Sequence, residues 1–259
     1  MVTLTTDFGV RDGYVACMKG VILGLAPSAT IVDACHEIER HRILHGAFVL
    51  RQLVDWYPPT TVHVVVVDPG VGTARRIVAA RAKGQLVVAP DNGLLSLLQH
   101  DHLLEEVHTV LNPAMALPEV SSTFHGRDIM APTAARLASG TRLSDVGPAT
   151  DHVEVLRLAH PERQSDGVVH GAIIHRDAFG NLITNVTAAD IAHLRRTGAD
   201  ARVLLGDQDV GPLRHTYSDV APGEPLALIG SDHRLEIAVN TGSAADRFNP
   251  PDDARVVVR

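Results

Sequence analysis

Short apolar runs alternate with helix-spaced segments along the first half of the chain. MVTLTT, ATIVDAC and VHVVVVD have the length of buried strands, whereas YVACMKGVILGLAP and ILHGAFVLRQLVDWYP carry apolar residues at helical spacing. An alternation of strands and helices is typical of α/β domains. The pattern therefore predicts an N-terminal α/β domain with a mainly parallel sheet.

The segments that follow predict a hairpin and two further helices. RIVAARAKGQLVVAP has the pattern of two strands joined by a tight turn, and NGLLSLLQH that of a short helix. RDIMAPTAARLASG has helical spacing, and Gly140 at its end is a common helix terminator.

Near residue 150 the pattern changes to strand-like alternation around turn residues. It continues through GVVHGAIIHRDAFGNLITNV, ARVLLGD, PLALIG, RLEIAVN and ARVVVR. Short strands of this kind predict a small β-barrel. We therefore expect an α/β domain over residues 1–150, a linker over residues 151–166 and a smaller C-terminal β-barrel domain over residues 167–259.

Composition narrows the class of protein and of partner. Hydrophobic residues make up 45% of the 259 residues but aromatic residues only 3%, so the core must be mostly aliphatic. A net charge of −7 without a basic stripe argues against a nucleic-acid partner. There is no apolar run long enough to span a membrane and no signal-peptide pattern at the first residues, and Cys17 and Cys35 are too few for a disulfide framework. We expect a cytoplasmic protein with no membrane partner.

Three predicted strands of the first half deliver aspartates near their carboxyl ends, namely Asp7, Asp33 and Asp68. In open parallel sheets, ligands bind at that edge. In VVVVDPGVGTARR, Asp68 is also followed by a glycine turn and a pair of arginines. Two interpretations stay open: Asp68 and an arginine face each other across a pocket, or Asp, Pro and Gly simply end a strand.

Four other residues are candidates for a functional site, and each of them also has an ordinary structural explanation. His125 in STFHGRD precedes a glycine and a helix start, where it could point into a cleft or serve packing. Asp177, Phe179 and Asn181 surround a glycine turn, and an asparagine amide can read a purine edge or stabilise the turn. Metal binding is disfavoured because ligand-spaced His and Cys motifs are absent.

Six motifs in order make the chain resemble the S-adenosyl-L-methionine hydroxide adenosyltransferases, relatives of the fluorinases and chlorinases. They are DFG…DGYV, DPGVGTARR, APDNGLL, TFHGRD, FGNLITN and GSDHRLEIAVNTGSAA, which together run over nearly the whole sequence. The resemblance implies an α/β domain, a β-barrel domain and a homotrimer with active sites between neighbouring subunits. It also implies hydrolysis of S-adenosyl-L-methionine to adenosine and L-methionine, without a metal or an organic cofactor.

Carried over by motif, the family's catalytic set falls on Asp68, Arg75 and His125. Arg75 would fix a water molecule, and either Asp68 or His125 would accept its proton. A carboxylate beside a guanidinium is a weak base, which favours His125 without deciding the matter. The resemblance implies further contacts to the substrate from Asp7 (ribose), Asp177 (the methionine ammonium), Asn181 and Phe179 (adenine), Phe124 (the pocket wall), Ser231 (the amino-acid end) and Asn240 (the adenine segment).

Two departures from the family pattern bear on the substrate contacts. His233 stands where relatives commonly have a glycine, and HEIERHR replaces a more apolar stretch that usually contains proline. Halogenating relatives lack the Asp68–His125 combination, so its presence favours water over a halide. Three alternatives remain: a halide-dependent adenosyltransferase, a binding module for an adenosyl ligand with no catalysis and, more remotely, a metal-dependent nucleoside hydrolase.

Overall fold

A computed structural model describes residues 1–196 and 201–259. These residues form two compact units, Met1–Leu156 and Arg157–Arg259, whose division falls inside the predicted linker 151–166. Within the described ranges, no helix has both the length and the apolar character that crossing a membrane requires.

The first unit contains six strands and four α-helices among its described residues. The strands are β1 (Val2–Thr6), β2 (Ile31–Cys35), β3 (Val62–Val66), β4 (Ile77–Ala82), β5 (Gln85–Pro90) and β6 (Leu104–Thr109). The helices are α1 (Tyr14–Leu25), α2 (Ile43–Trp56), α3 (Ser96–His100) and α4 (Ala131–Ala138). The strands and helices predicted up to α3 are confirmed. Strand β6 was missed because its exposed acidic residues, Glu105 and Glu106, interrupt the apolar pattern.

The sheet has the order β2-β1-β3-β5-β4-β6 and mixed orientation, so the predicted mainly parallel sheet is not confirmed. The β1–β2, β1–β3 and β3–β5 pairs are parallel, whereas β4 pairs antiparallel with both β5 and β6. A two-residue turn explains the reversal. Lys83 (φ 50°) and Gly84 (φ 73°) take left-handed backbone conformations, as tight hairpin turns require.

Apolar layers cover both faces of this sheet. On one face, Val64 and Val66 of β3 pack with Met18 of α1 and Ala134 of α4. On the other face, Val65 joins the cluster formed with α2. Both faces of β3 are therefore buried, which explains its unbroken run of valines.

The helix predicted over RDIMAPTAARLASG is divided in two. Residues Gly126–Met130 form a π-helical turn, and the α-helical part begins only at Ala131. Pro132 has no N–H with which to reach the carbonyl of Asp128, and that carbonyl accepts from the Leu117 amide instead (2.8 Å). Insertions of this kind are frequent at functional sites.

A buried polar chain crosses the middle of the sheet. The Gln85 amide donates to the Val54 carbonyl (2.8 Å), so Gln85 Oε1 is left to accept from His63 Nε2 (2.6 Å). In the neutral ring that burial favours, His63 Nδ1 accepts from the Thr3 hydroxyl (2.7 Å). Burial lowers the pKa of this histidine below its usual value.

We expect the free energy of unfolding to fall as the pH is lowered from about 6.5, the usual histidine value, because the unfolded chain then takes up a proton that folded His63 resists. Urea unfolding at a series of pH values measures this slope. His63→Gln should make the slope shallower, whereas the same change at the exposed His152 should not. An unchanged slope in His63→Gln would contradict this assignment.

The second unit is a closed barrel, as predicted. Its strands are β7 (Glu162–Arg163), β8 (Val169–Arg176), β9 (Leu182–Thr187), β10 (Arg202–Leu205), β11 (Gln208–Arg214), β12 (Pro225–Ile229), β13 (Arg234–Val239) and β14 (Arg255–Val258). In the described part, seven strands close in the order β14-β10-β11-β12-β13-β9-β8, and β7 adds to β8 outside the ring. The short helices α5 (Ala192–Arg196) and α6 (Ala244–Phe248) were not predicted.

Candidate active site

Asp68 lies just beyond the buried strand β3, at the start of a glycine turn. The Val71 amide donates to the Asp68 carbonyl (3.2 Å), and both the Thr73 amide and hydroxyl donate to the Gly70 carbonyl (3.1 and 2.7 Å). These bonds reverse the chain within a few residues. Arg75 is thereby brought back against the side chain of Asp68.

The Arg75 guanidinium joins Asp68 to His125. Its Nε donates to both carboxylate oxygens (2.8 and 3.0 Å), and its Nη2 donates to Asp68 Oδ2 and to His125 Nδ1 (2.9 Å for the histidine contact). The Asp68 and Arg75 side chains are only 6% and 10% exposed. The structure thus brings the three predicted catalytic residues into direct contact.

The contact with Arg75 fixes the protonation of His125. A guanidinium can only donate, so Nδ1 must be unprotonated and the proton of the neutral ring lies on Nε2. Partial burial lowers the pKa of His125, and the charge of Arg75 lowers it further, against opposing effects of Asp68 and Asp128. Near neutral pH the ring is therefore neutral and presents an Nε2–H donor.

The turn after Asp68 packs closely against the 121–125 loop, which carries His125. At Gly72 (φ 78°) a Cβ atom would lie 2.3 Å from the Ser122 carbonyl oxygen. Only glycine permits this approach with this backbone conformation. The distance between the turn that carries Asp68 and Arg75 and the loop that carries His125 therefore depends on Gly72.

We expect Gly72→Ala to reduce turnover by about 100-fold, because a displacement of about 1 Å misaligns the reacting groups. Gly140→Ala is the matched control: Gly140 also has a positive φ (99°), but nothing lies within 4 Å of its added Cβ. Steady-state kinetics of the two variants measure the difference. Equal losses would attribute the effect to backbone strain alone.

A cavity of about 260 Å³ opens beside this group in the first unit. It is lined by Asp7, Phe8, Asp12, Tyr14, Arg40, His41, Val66, Asp68, Val71, Thr123, Phe124, His125 and Gly126. Four predicted site residues, Asp7, Asp68, Phe124 and His125, thus share one cavity. Asp33 is not among the lining residues; it lies within β2 and bonds Lys19 and His36.

Aromatic rings form one wall of the cavity. Phe8, Tyr14 and Phe124 meet edge to face or tilted, with ring centroids 5.4–5.8 Å apart. Such rings offer apolar and π surfaces to a flat or apolar ligand. Asp7 lies close by, and its Oδ2 accepts from the His41 amide (3.0 Å).

Several polar residues that line the cavity were not predicted from the sequence, and Asp12, Arg40 and His41 are among them. Asp12 belongs to the DGYV motif, so its position beside Asp7 and Phe8 was a usable signal. Arg40 and His41 belong to HEIERHR. The sequence showed that this segment departs from the family pattern, but it did not show that these two side chains line the cavity. His41 has a left-handed backbone conformation (φ 65°), which no alternation of apolar residues predicts.

In the second unit, Asp177, Phe179 and Asn181 form one turn between β8 and β9. The Asp177 carboxylate accepts from the Phe179 amide, the Asn181 amide and the Asn181 side chain, each at 2.9 Å. Asn181 is 7% exposed, whereas Phe179 is 79% exposed. The turn therefore presents a large aromatic ring outward on a rigid base.

Ser231 and Asn240 lie at opposite ends of β13. Ser231 is exposed in the turn between β12 and β13, and Asn240 uses its side chain to donate to the Val220 carbonyl (2.8 Å). His233, in the Ser231 turn, has φ 61°. This left-handed conformation gives a physical reason for the glycine that relatives commonly have at that position.

As for metal ligands, no group of three or more His, Cys, Asp or Glu side chains within residues 1–196 and 201–259 is arranged to hold an ion. Cys17 and Cys35 are free thiols.

Comparison with known proteins gives consistent matches over both units. The model of the SAM hydroxide adenosyltransferase N-terminal domain matches residues 2–147, and the model of the C-terminal domain matches residues 171–256. A (R)-S-adenosyl-L-methionine hydrolase of Salinispora tropica is 40% identical over 98% of this chain and 97% of its own length. A fluorinase of an Actinoplanes species is 32% identical over 96% of this chain and 94% of its own.

A solved structure shares the same fold over its full length. The crystal structure of a conserved protein from Thermotoga maritima superposes with a TM-score of 0.91 at 34% identity, covering 100% of this chain and 99% of that one. With both domain models matched in order, the chain belongs to the SAM hydroxide adenosyltransferase family.

Proposed function

We propose that this protein hydrolyses S-adenosyl-L-methionine to adenosine and L-methionine. The observation that carries the proposal is Arg75, which bonds Asp68 and His125 at the edge of the cavity. Water attacks the ribose 5′ carbon, the new C–O bond forms, and the C–S electron pair returns to sulfur as a neutral thioether. Because the thioether leaves as a neutral group it needs no acid, and the one proton that the attacking water loses is accepted by a side chain of the site.

Asp68 is the better candidate for the proton acceptor. The Nδ1 lone pair of His125 is already used by Arg75, whereas each carboxylate oxygen of Asp68 has further lone pairs beyond those that face the guanidinium. His125 would then donate from Nε2 to the water oxygen and orient it. This assignment reverses the sequence-based preference for His125 as the base.

The charges along the cavity complement this substrate. Arg75 compensates Asp68, and the other charged side chains at the cavity are the acidic Asp7 and Asp12 and the basic Arg40. S-adenosyl-L-methionine carries two positive groups, the sulfonium and the ammonium, and one carboxylate. We assign the carboxylate to Arg40 and the ammonium to Asp12 and, in the assembly proposed below, to the Asp177 side chain of a neighbouring subunit.

Arg40→Ala is therefore expected to raise KM for S-adenosyl-L-methionine about tenfold, the value of one hydrogen bond to a charged group, with little change in kcat. Decarboxylated S-adenosylmethionine should show no such increase, since it lacks the anion. Arg42→Ala is the control, because Arg42 faces Glu39 at 3.6 Å and does not line the cavity. An equal KM increase for both substrates would refute the assignment.

Two other functions are tested by the same product analysis. A halide-dependent adenosyltransferase would have to place an anion beside the Asp68 carboxylate, which repels it. Chromatography of S-adenosyl-L-methionine incubated with the protein, with and without chloride or fluoride, separates the cases. We expect adenosine and methionine without halide, and no reaction in Asp68→Ala; a 5′-halogenated adenosine would indicate the halogenase, and bound but intact substrate a binding module.

The configuration at sulfur is part of the proposal. The Salinispora tropica relative is named for the (R) form of the substrate, and we assign the same form to this chain. Separate incubations with the two sulfonium epimers give the test. Faster turnover of the (S) form would reject the assignment.

We also propose a cytoplasmic homotrimer in which each active site combines the first unit of one subunit with the second unit of its neighbour. The exposed Phe179 ring and the Asp177 turn supply the surface for that neighbour. Mixing inactive Asp68→Ala and Asp177→Ala subunits should restore about a quarter of full activity, since one interface in four then has both intact halves. No recovery after subunit exchange would place each site within one subunit.

A further inference from the structure

Asp128 is a buried carboxylate to which the proposed reaction assigns no role. The residue has no exposed surface and lies in the π-helical turn Gly126–Met130, directly after the loop that carries Phe124 and His125. Its Oδ2 accepts from the Ser121 amide (2.8 Å). A buried charge is costly unless it is paired and hydrogen-bonded.

The neighbouring Arg127 completes this arrangement. Its Nε and Nη2 donate to the two oxygens of Asp128 (2.6 and 3.0 Å), and its guanidinium carbon lies 5.0 Å from the centroid of the Phe124 ring. Asp128 therefore fixes the beginning of the 121–125 loop through Ser121. Through Arg127 it also fixes the aromatic side chain at the end of that loop.

We propose that Asp128 is a positioning residue for the reaction: it holds the 121–125 loop so that His125 meets Arg75 and Phe124 closes the cavity wall. The charge of Asp128 also acts on His125, whose charged neighbours are Arg75, Asp68 and Asp128. Asp128 favours the protonated ring, and its removal therefore lowers the pKa of His125.

Asp128→Asn tests the proposal, which rests on the hydrolase function, because asparagine keeps the shape and removes the charge. We expect kcat to fall about 10- to 100-fold with a smaller change in KM, since the reacting groups are displaced more than the binding surface. The acid limb of the kcat/KM profile should move to lower pH. A purely structural role would lower the unfolding temperature and leave kcat unchanged at a temperature where the variant is folded.

A matched control is available in the same unit. Asp145 forms a similar two-bond pair with Arg142 (3.0 and 2.9 Å), exposed and away from the cavity lining. Asp145→Asn should leave kcat and the pH profile unchanged. If Asp128→Asn does not fold, Arg127→Lys keeps the charge but loses the two-bond geometry, and a smaller loss of kcat is expected.

An NMR titration of the His125 ring separates this proposal from the hydrolase function. If the wild-type protein does not hydrolyse S-adenosyl-L-methionine, the function is wrong, yet a changed His125 midpoint in Arg127→Lys, which keeps the charge of Asp128 and loses the two-bond geometry, still supports positioning. The proposal is overturned if a folded Asp128→Asn keeps the wild-type kcat. It is also overturned if Arg127→Lys, used where Asp128→Asn does not fold, behaves like Asp145→Asn.

Discussion

Asp68→Asn is expected to lower kcat by about 10²- to 10⁴-fold, the usual contribution of a general base. Asparagine can still accept from Arg75, so the guanidinium and His125 should stay near their positions. It cannot take a proton from the attacking water at neutral pH. KM should therefore change little, and the loss should lie in the chemical step.

Asp91→Asn is the matched control for this variant. Asp91 is also an aspartate that follows a buried strand, and it binds the neighbouring arginine, Arg76, through Nε at 2.9 Å and through Nη2. It does not line the cavity. If the two variants lost activity equally, the effect would reflect a damaged fold, and Asp68 would not be the base.

Arg75→Met should remove activity and also destabilise the fold. The Asp68 side chain is 6% exposed, and it would be left as a buried charge without its partner, at a cost of about 3–5 kcal/mol. His125 would lose the donor that fixes its proton on Nε2. We expect a loss of turnover larger than that in Asp68→Asn, together with a lower unfolding temperature.

Arg76→Met separates the two effects. It breaks the comparable pair with Asp91, whose side chain is 1% exposed, and should lower the unfolding temperature while turnover is retained at a temperature where the variant is folded. Arg75→Lys should not restore activity, because one ammonium cannot reproduce the planar fork that reaches both Asp68 and His125. Full rescue by lysine would show that positive charge alone is sufficient.

The sequence predicted the parts of the fold that follow from local apolar periodicity. The strand that ends before Asp68 is buried on both faces, and its run of valines clearly predicted a buried strand. The Lys83–Gly84 turn lies between two segments whose pattern predicted a hairpin. The mixed orientation of the whole sheet could not be predicted from apolar periodicity. It arises because the hairpin makes β4 antiparallel to β5, and the unpredicted strand β6 pairs antiparallel with β4. The division of the helix predicted over RDIMAPTAARLASG coincides with Pro132, which lacks an N–H, and apolar spacing does not reveal it.

The site was predicted in its residue types but not in its electrostatics. The motifs named Asp68, Arg75 and His125, and the structure places them in contact. Which histidine nitrogen carries the proton depends on a contact across 50 residues of sequence. Arg40 lines the cavity and His41 beside it has a left-handed backbone conformation, and neither feature leaves a periodic signal in the sequence.

In the proposed reaction, water activated beside Asp68 and Arg75 attacks the ribose 5′ carbon. The most direct measurement is a reaction of S-adenosyl-L-methionine in ¹⁸O-labelled water without halide, followed by mass spectrometry of the nucleoside product. We predict adenosine that is two mass units heavier, with the label on the 5′ oxygen. Unlabelled adenosine, or release of free adenine in place of adenosine, would show that water does not attack the 5′ carbon.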